Sequence, residues 1–306
     1  MADQKHISPR AWAELLLLSC IWGGSFLSIH VALDEIGVAT AVAHRVGWAT
    51  VILWGIVALR RLPLPRDPRV WGAFLVMGLL NNVIPFSLMA WGQLHIETGL
   101  TSILNATTAI FAVLLAAVVF ADERLTLRRV IGVSLGFAGV ATAIGLEALA
   151  GFDLRSLAQL AVLGGTLSYA FAGIWARKRL GGLPPLVAAA GMLSASSLIM
   201  IPAAWAIDGP ITLDLRPATL IAIGYYAIAA TAVAYVLYYR VLAMVGSGNT
   251  MLCTLLIPPL AIVLGVVVLG ETLHPSAYAG FAILATGLLV LNTRGKRPLP
   301  KARTAG

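Results

Sequence analysis

The chain has 306 residues, 59% of them apolar and 11% charged, with a formal net charge of +8 and a mean hydropathy of +0.92. Soluble domains carry about 45–50% apolar and about 25% charged residues, so too little polar surface remains to cover a water-soluble globule. Lipid is therefore the solvent for most of the chain. The two cysteines, Cys20 and Cys253, both lie inside apolar runs and support neither a disulfide framework nor a metal-ligand spacing.

A helix needs about 20 residues to cross the hydrocarbon core, and ten runs meet that standard. The first, 12–33, contains CIWGGSF with Cys20 and Trp22, and ends near His30. It exceeds the apolar core of about 7–15 residues in a cleaved signal peptide. The second, 37–60, holds His44 and Arg45, the latter eight residues in from its start, or roughly 12 Å at the helical rise. Arg45 either snorkels outward to Asp34, Glu35 or Glu97, or meets a substrate carboxylate in a bidentate pair. His30 and His44 stand near helix ends, where either solvation or proton coupling suits them.

After LPLPRDPR at 62–69, the third run, 70–95, carries Asn81 and Asn82 at its middle, followed by Pro85. Adjacent amides diverge by about 100° around a helix, so one at most faces a cavity squarely while the other bonds a neighbouring helix. The fourth run, 98–121, holds Asn105 and ends just before Glu123. An acid ahead of a helix is favoured by the macrodipole, which makes Glu123 a cap for the helix that follows. That fifth run, 126–146, has Gly132, Gly136 and Gly139 in a GxxxG pattern. Such a stripe allows close approach, either in a homodimer or within the chain.

The sixth run, 155–178, contains LSYAFAG with Tyr169 and ends in basic residues, before GGLPP at 181–185. The seventh, 184–207, closes at DGP, and the eighth, 217–243, bears Tyr235, Tyr238 and Tyr239. Tyr238, Tyr239 and Trp91 lie near helix ends and read as interfacial anchors; Tyr235, one turn deeper, faces a cavity. The ninth run, 246–269, opens with Asn249 and Thr250 and contains Pro258-Pro259; the tenth, 274–293, begins at Pro275, where a missing N–H costs nothing.

Ten crossings place alternate loops on one side. Eighteen Lys and Arg fall on the side of the termini, only Arg155 and Arg216 fall opposite, and Arg45 stays within a helix. That asymmetry matches the positive-inside rule, puts both termini in the cytoplasm, and leaves no basis for a nucleic-acid partner. The chain also repeats itself. Residues 121–139, ADERLTLRRVIGVSLGFAG, are echoed 148 residues later by LGETLHPSAYAGFAILATG, with Glu123 and Glu271, Gly132 and Gly280, and Gly139 and Gly287 in matched places. With five helices per copy the second enters the membrane upside down. The expected fold is an all-α integral membrane protein with ten transmembrane helices in two inverted five-helix repeats, 12–146 and 155–293, and a basic cytoplasmic tail, 294–306.

The WGGSF stretch, Arg45 and the two junctions around Glu123 and Glu271 resemble the drug/metabolite transporter superfamily, specifically proteins with two EamA-type domains. The fourth run departs from the ninth in lacking its prolines, and Tyr169 stands where the family often has Trp. The resemblance implies a secondary carrier in the plasma (bacterial inner) membrane, often an exporter of amino acids, metabolites or drugs, working by alternating access. Inverted repeats place the substrate site near the midplane, where the halves face each other. Cavity candidates are Trp22, His30, Arg45, Asn81, Asn82, Asn105, Tyr169, Tyr235, Asn249 and Thr250. No P-loop, metal cluster or nucleophile–base set is present, so neither an enzyme nor a cofactor is expected. The alternatives are a non-transporting scaffold or sensor and, behind it, an intramembrane enzyme. A small molecule and the bilayer are the expected partners.

Overall fold

A computed structural model describes residues 7–96, 98–153, 156–269 and 274–292. Glu97, Arg155, Glu271 and the tail lie outside the described residues. Among the described residues the structure is helical without strands. In chain order the helices are α1 (Pro9–Leu33), α2 (Val38–Leu59), α3 (Pro68–Gln93), α4 (Thr98–Val119) and α5 (Leu127–Ile144), followed by α6 (Leu157–Leu180), α7 (Pro185–Ile207), α8 (Pro217–Val245), α9 (Cys253–Leu269) and α10 (Pro275–Asn292). The first eight are long and apolar enough to cross a membrane, and two shorter apolar helices follow them. The chain is an integral membrane protein.

Helix ends follow local chemistry. Ser8 and Asp67 cap α1 and α3 by accepting from the backbone N–H of Ala11 and Arg69, and Pro9 and Pro68 open those helices. Thr126 caps α5 in the same way, accepting from Arg129. The run expected as one helix over 246–269 is broken. A short helix, Ser247–Thr250, is separated from α9 by a turn at Met251 and Leu252.

Packing follows a rule. α1 packs on α8 and α9, α6 on α3 and α4, α2 on α7, and α5 on α10. Advancing every label by five maps this pattern onto itself. The α5–α10 seam shows why glycine recurs in both copies. A Cβ built on Gly139 would lie 2.5 Å from the Leu284 nitrogen, and one on Gly280 would lie 2.3 Å from the Ala143 nitrogen. Gly132 faces Gly287 at the other end of the seam. The GxxxG stripe is thus buried within the chain, in the close backbone approach that small residues permit.

Among the described residues three long helices carry π-helical turns, α6 over Ala176–Leu180 and two others at matched places. α3 adopts a π-helical turn over Leu79–Val83 and α8 over Tyr225–Val233. Shifting the first span by 148 residues lands inside the second. π turns are rare and concentrate at functional sites, so both mark the region where the cavity lies.

Candidate functional site

Among the described residues, seven of the ten helices contribute to one cavity between the halves. Its walls come from α1, α2, α3 and α4 on one side and from α6, α8, α9 and Met251 on the other. The space open to the centre of a water-sized sphere is about 80 Å³. Along α1 the lining residues are Trp22, Ser25, Phe26 and Ile29, the i, i+3, i+4, i+7 stripe of one helix face. The cavity reaches Ile29 and Gln93 near the ends of α1 and α3.

The π turn in α8 explains how Trp22 and Arg45 are held. In an α-helix the Ala234 N–H would bond the Ala230 carbonyl; here it bonds Ala229 instead. The Ala230 carbonyl accepts from Trp22 Nε1 at 2.9 Å and Arg45 Nη2 at 3.4 Å. Arg45 Nε donates to Thr231 Oγ1 at 2.9 Å, and that hydroxyl in turn donates to the Tyr226 carbonyl, five residues back. The Arg45 guanidinium stacks on Phe86, 3.9 Å from the ring centroid. The side chain is only 5% exposed, and it makes no ion pair among the described residues. It therefore neither snorkels nor pairs with Asp34 or Glu35. Such a cation at membrane depth costs on the order of 2.5–3.5 kcal/mol on insertion scales, which the cation–π contact offsets in part.

The π turn in α3 does the same for the amides. Pro85 has no N–H for the Asn81 carbonyl, and Tyr235 Oη lies 3.3 Å from that oxygen. The shorter bond of Tyr235 runs to Asn82 Oδ1 at 2.6 Å, while Asn82 Nδ2 donates to Ser196 Oγ at 2.7 Å. Asn81 lines the cavity and Asn82 stands behind it, knitting α3 to α7 and α8.

Six of the ten expected residues meet at the cavity: Trp22, Arg45, Asn81, Asn105, Tyr169 and Tyr235. Four do not. His30 is exposed near the end of α1, Asn82 belongs to the network just described, and Asn249 and Thr250 lie at the far end of the bundle. His44 is buried rather than solvated, its Nδ1 accepting from Trp48 Nε1 at 3.2 Å. Tyr238 and Tyr239 are also corrected. Both are buried, and Tyr238 lines the cavity against Trp22 and Tyr235, with ring centroids 6.3 and 6.1 Å away. They are core residues because their face of α8 turns inward: Tyr238 packs on the α1 ring of Trp22, and Tyr239 Oη meets Met192 Sδ of α7 at 3.5 Å. Ser25, Gln93 and Thr254 also line the cavity without having been singled out. The α1 stripe signalled Ser25. Gln93 lies four residues beyond Met89, on the same face of α3.

At the end of the bundle rich in arginine, Glu123 closes a polar cluster. It caps a helix, but not the one that follows it. Its carboxylate accepts from Ser247 N and Oγ, both at 2.9 Å, and from Gly248 N at 2.8 Å. Arg177 pairs with Glu123 and Asp122, and Arg129 Nη2 reaches Glu123 at 3.5 Å and Asn249 Oδ1 at 2.9 Å. Thr250 Oγ1 bonds the Gly246 carbonyl at 2.6 Å. The α4–α5 junction is thereby tied to α6 and to the start of the ninth run.

The model of the EamA-like transporter family matches residues 11–145 and 156–293. The chain is 28% identical to a probable terminal-alkyne amino-acid exporter of Streptantibioticus cattleyicolor, over 98% of this chain and 99% of that one. It is 26% identical to a probable amino-acid metabolite efflux pump of Salmonella typhimurium, over 95% of this chain and 97% of that one. A solved crystal structure superposes with a TM-score of 0.76 at 17% identity, covering 92% of this chain and 96% of its own.

Proposed function

The chain belongs to the EamA-like transporter family, and on that premise we propose that it is a ten-crossing secondary carrier that exports a small organic metabolite by alternating access. It is a small-molecule transporter; the direction and the mechanism are our reading. One observation carries that reading: a central cavity walled by both halves extends toward Ile29 and Gln93, while the Glu123 cluster ties the elements at the opposite, arginine-rich end. In a carrier this is the geometry of a state open to one side only. The self-mapping packing of α1–α5 and α6–α10 supplies the second state, in which the two ends exchange roles at similar energy.

The excess of basic residues on one set of loops supports a plasma-membrane protein with both termini in the cytoplasm. The cavity then faces outward in the conformation described, and the Glu123 cluster is its inner gate. The names of the two full-length relatives support an amino-acid-like cargo and export.

The test is flux. Purified protein in proteoliposomes is expected to give saturable counterflow of at least one member of a labelled panel of amino acids and related metabolites. Absence of flux across the whole panel, with insertion verified by protease protection, refutes the carrier reading. Finding the two termini on opposite sides of the bilayer refutes the ten-crossing topology.

A further inference from the structure

We propose that Arg45 is the recognition point for a carboxylate, and that the cavity takes small aromatic or apolar carboxylic acids whether or not they also carry an amino group. The inference deepens the carrier reading and concerns the same cavity.

Three features of Arg45 lead there. Its charge is buried, lines the cavity, and has no carboxylate partner among the described residues. Its plane is fixed, because the guanidinium stacks on Phe86 while Nε and Nη2 are anchored to Thr231 and Ala230 on α8. Its donor capacity is not exhausted. Guanidinium has five N–H groups, and Nη1 meets no hydrogen-bond partner among the described residues. A planar fork held through Nε and Nη2, in a side chain that lines a cavity, suits the two oxygens of a carboxylate.

The remaining walls define the rest of the ligand. Among the described residues no Asp or Glu lines the cavity, so a substrate ammonium would find no counter-charge from them there. It would find amide oxygens and aromatic faces, which accept an ammonium group without demanding one. Trp22, Phe26, Phe86, Tyr169 and Tyr235 offer ring surface to an apolar body. The site therefore requires the acid and tolerates the amine, which distinguishes it from a pocket built to grip both ends of a zwitterion.

Three probes with one aromatic body separate these chemistries: 3-phenylpropionate (acid alone), L-phenylalanine (acid and amine) and L-phenylalaninamide (amine without acid). Binding to the purified full-length protein is measured by calorimetry, and movement by counterflow in proteoliposomes. The two acids are expected to bind within about threefold of each other. The amide is expected to bind at least about tenfold more weakly, the loss for one charged hydrogen-bond pair. Arg45→Gln should abolish the preference for acids while leaving weak amide binding unchanged, and Arg45→Lys should restore part of it.

An amide as tight as the acids, no binding of either acid, or phenylpropionate more than tenfold weaker than phenylalanine each overturns the proposal. The wild-type comparison decides the matter even where Arg45→Gln does not fold. If the acids bind and nothing moves, the carrier reading fails and the subsite stands. If neutral compounds move while the acids neither bind nor compete, the subsite fails and the carrier stands.

Discussion

Replacing Gly280 by alanine adds one methyl group at the point where α10 lies closest to α5. The built Cβ falls 2.3 Å from the Ala143 nitrogen, 2.5 Å from its Cα and 2.6 Å from its Cβ, whereas ordinary contact begins at 3.4 Å. The obstacle is backbone, so no side-chain rotation relieves it. The helices must separate locally by about 1 Å, and the van der Waals contacts that hold two apolar helices together in lipid weaken along the seam. Overpacking of this kind costs about 1–3 kcal/mol. Gly72 is the internal control: a Cβ there meets nothing within 4 Å, so Gly72→Ala gains only the helix propensity of about 1 kcal/mol. Thermal unfolding of the purified variants in one detergent should rank Gly72→Ala at or above wild type and Gly280→Ala clearly below it. A Gly280→Ala protein as stable as wild type would refute the seam as the reason for the repeated glycines.

Glu123→Gln removes the carboxylate shared by Arg129, Arg177 and the start of the short helix at Ser247. Breaking a buried pair in this way costs about 3–5 kcal/mol, and a cysteine placed at Ser247 should react faster with a membrane-impermeant thiol reagent in this background; an unchanged labelling rate would deny the cluster a closing role. Asn82→Ala strands the Tyr235 hydroxyl and the Ser196 bond, so it should destabilise by about 1–3 kcal/mol. Asn81→Ala, at a residue facing the cavity, should lower stability less than Asn82→Ala does in the same thermal unfolding assay. The Glu35 carboxyl is held below its ordinary 4.5, first by the Thr219 hydroxyl and then by Arg216. A lowered carboxylate value means the contribution to stability is present above the ordinary carboxylate range and lost as pH falls through the depressed value. Carbon-detected NMR in nanodiscs should find its midpoint under 4.5, and Thr219→Val should move it upward.

Helix positions were legible because lipid imposes a length and a hydropathy on every crossing, and proline and glycine punctuate the joints at 62–69, 181–185 and 208–210. The matched glycines were legible as letters, and their meaning needed the discovery that Gly139 meets Gly280 and Gly132 meets Gly287. What escaped reading has a common physical cause. The π turns at Leu79–Val83 and Tyr225–Val233 shift the angular register by one residue, so faces projected at the ordinary helical period beyond them are misplaced. Tyr238 reads as interfacial from its distance to the helix end, but its burial is set by which helices its face meets, Trp22 of α1 among them, and that depends on packing. Glu123 was read against the helix after it, because capping is sought locally, yet its partners Ser247 and Gly248 come from the other half of the chain. Arg45 stood out as a charge in an apolar run. That its neighbours would be Phe86, Thr231 and the Ala230 carbonyl was settled by packing alone.

The glycine seam binds two stretches of inheritance to one fate. A bulky change at Gly139 cannot be answered by any side chain across the gap, because the atoms it would strike are backbone atoms of Gly280 and Leu284. Drift in either copy of the duplication is thus censored by the other, and the two sequences, free to diverge everywhere else, must keep agreeing along this one line.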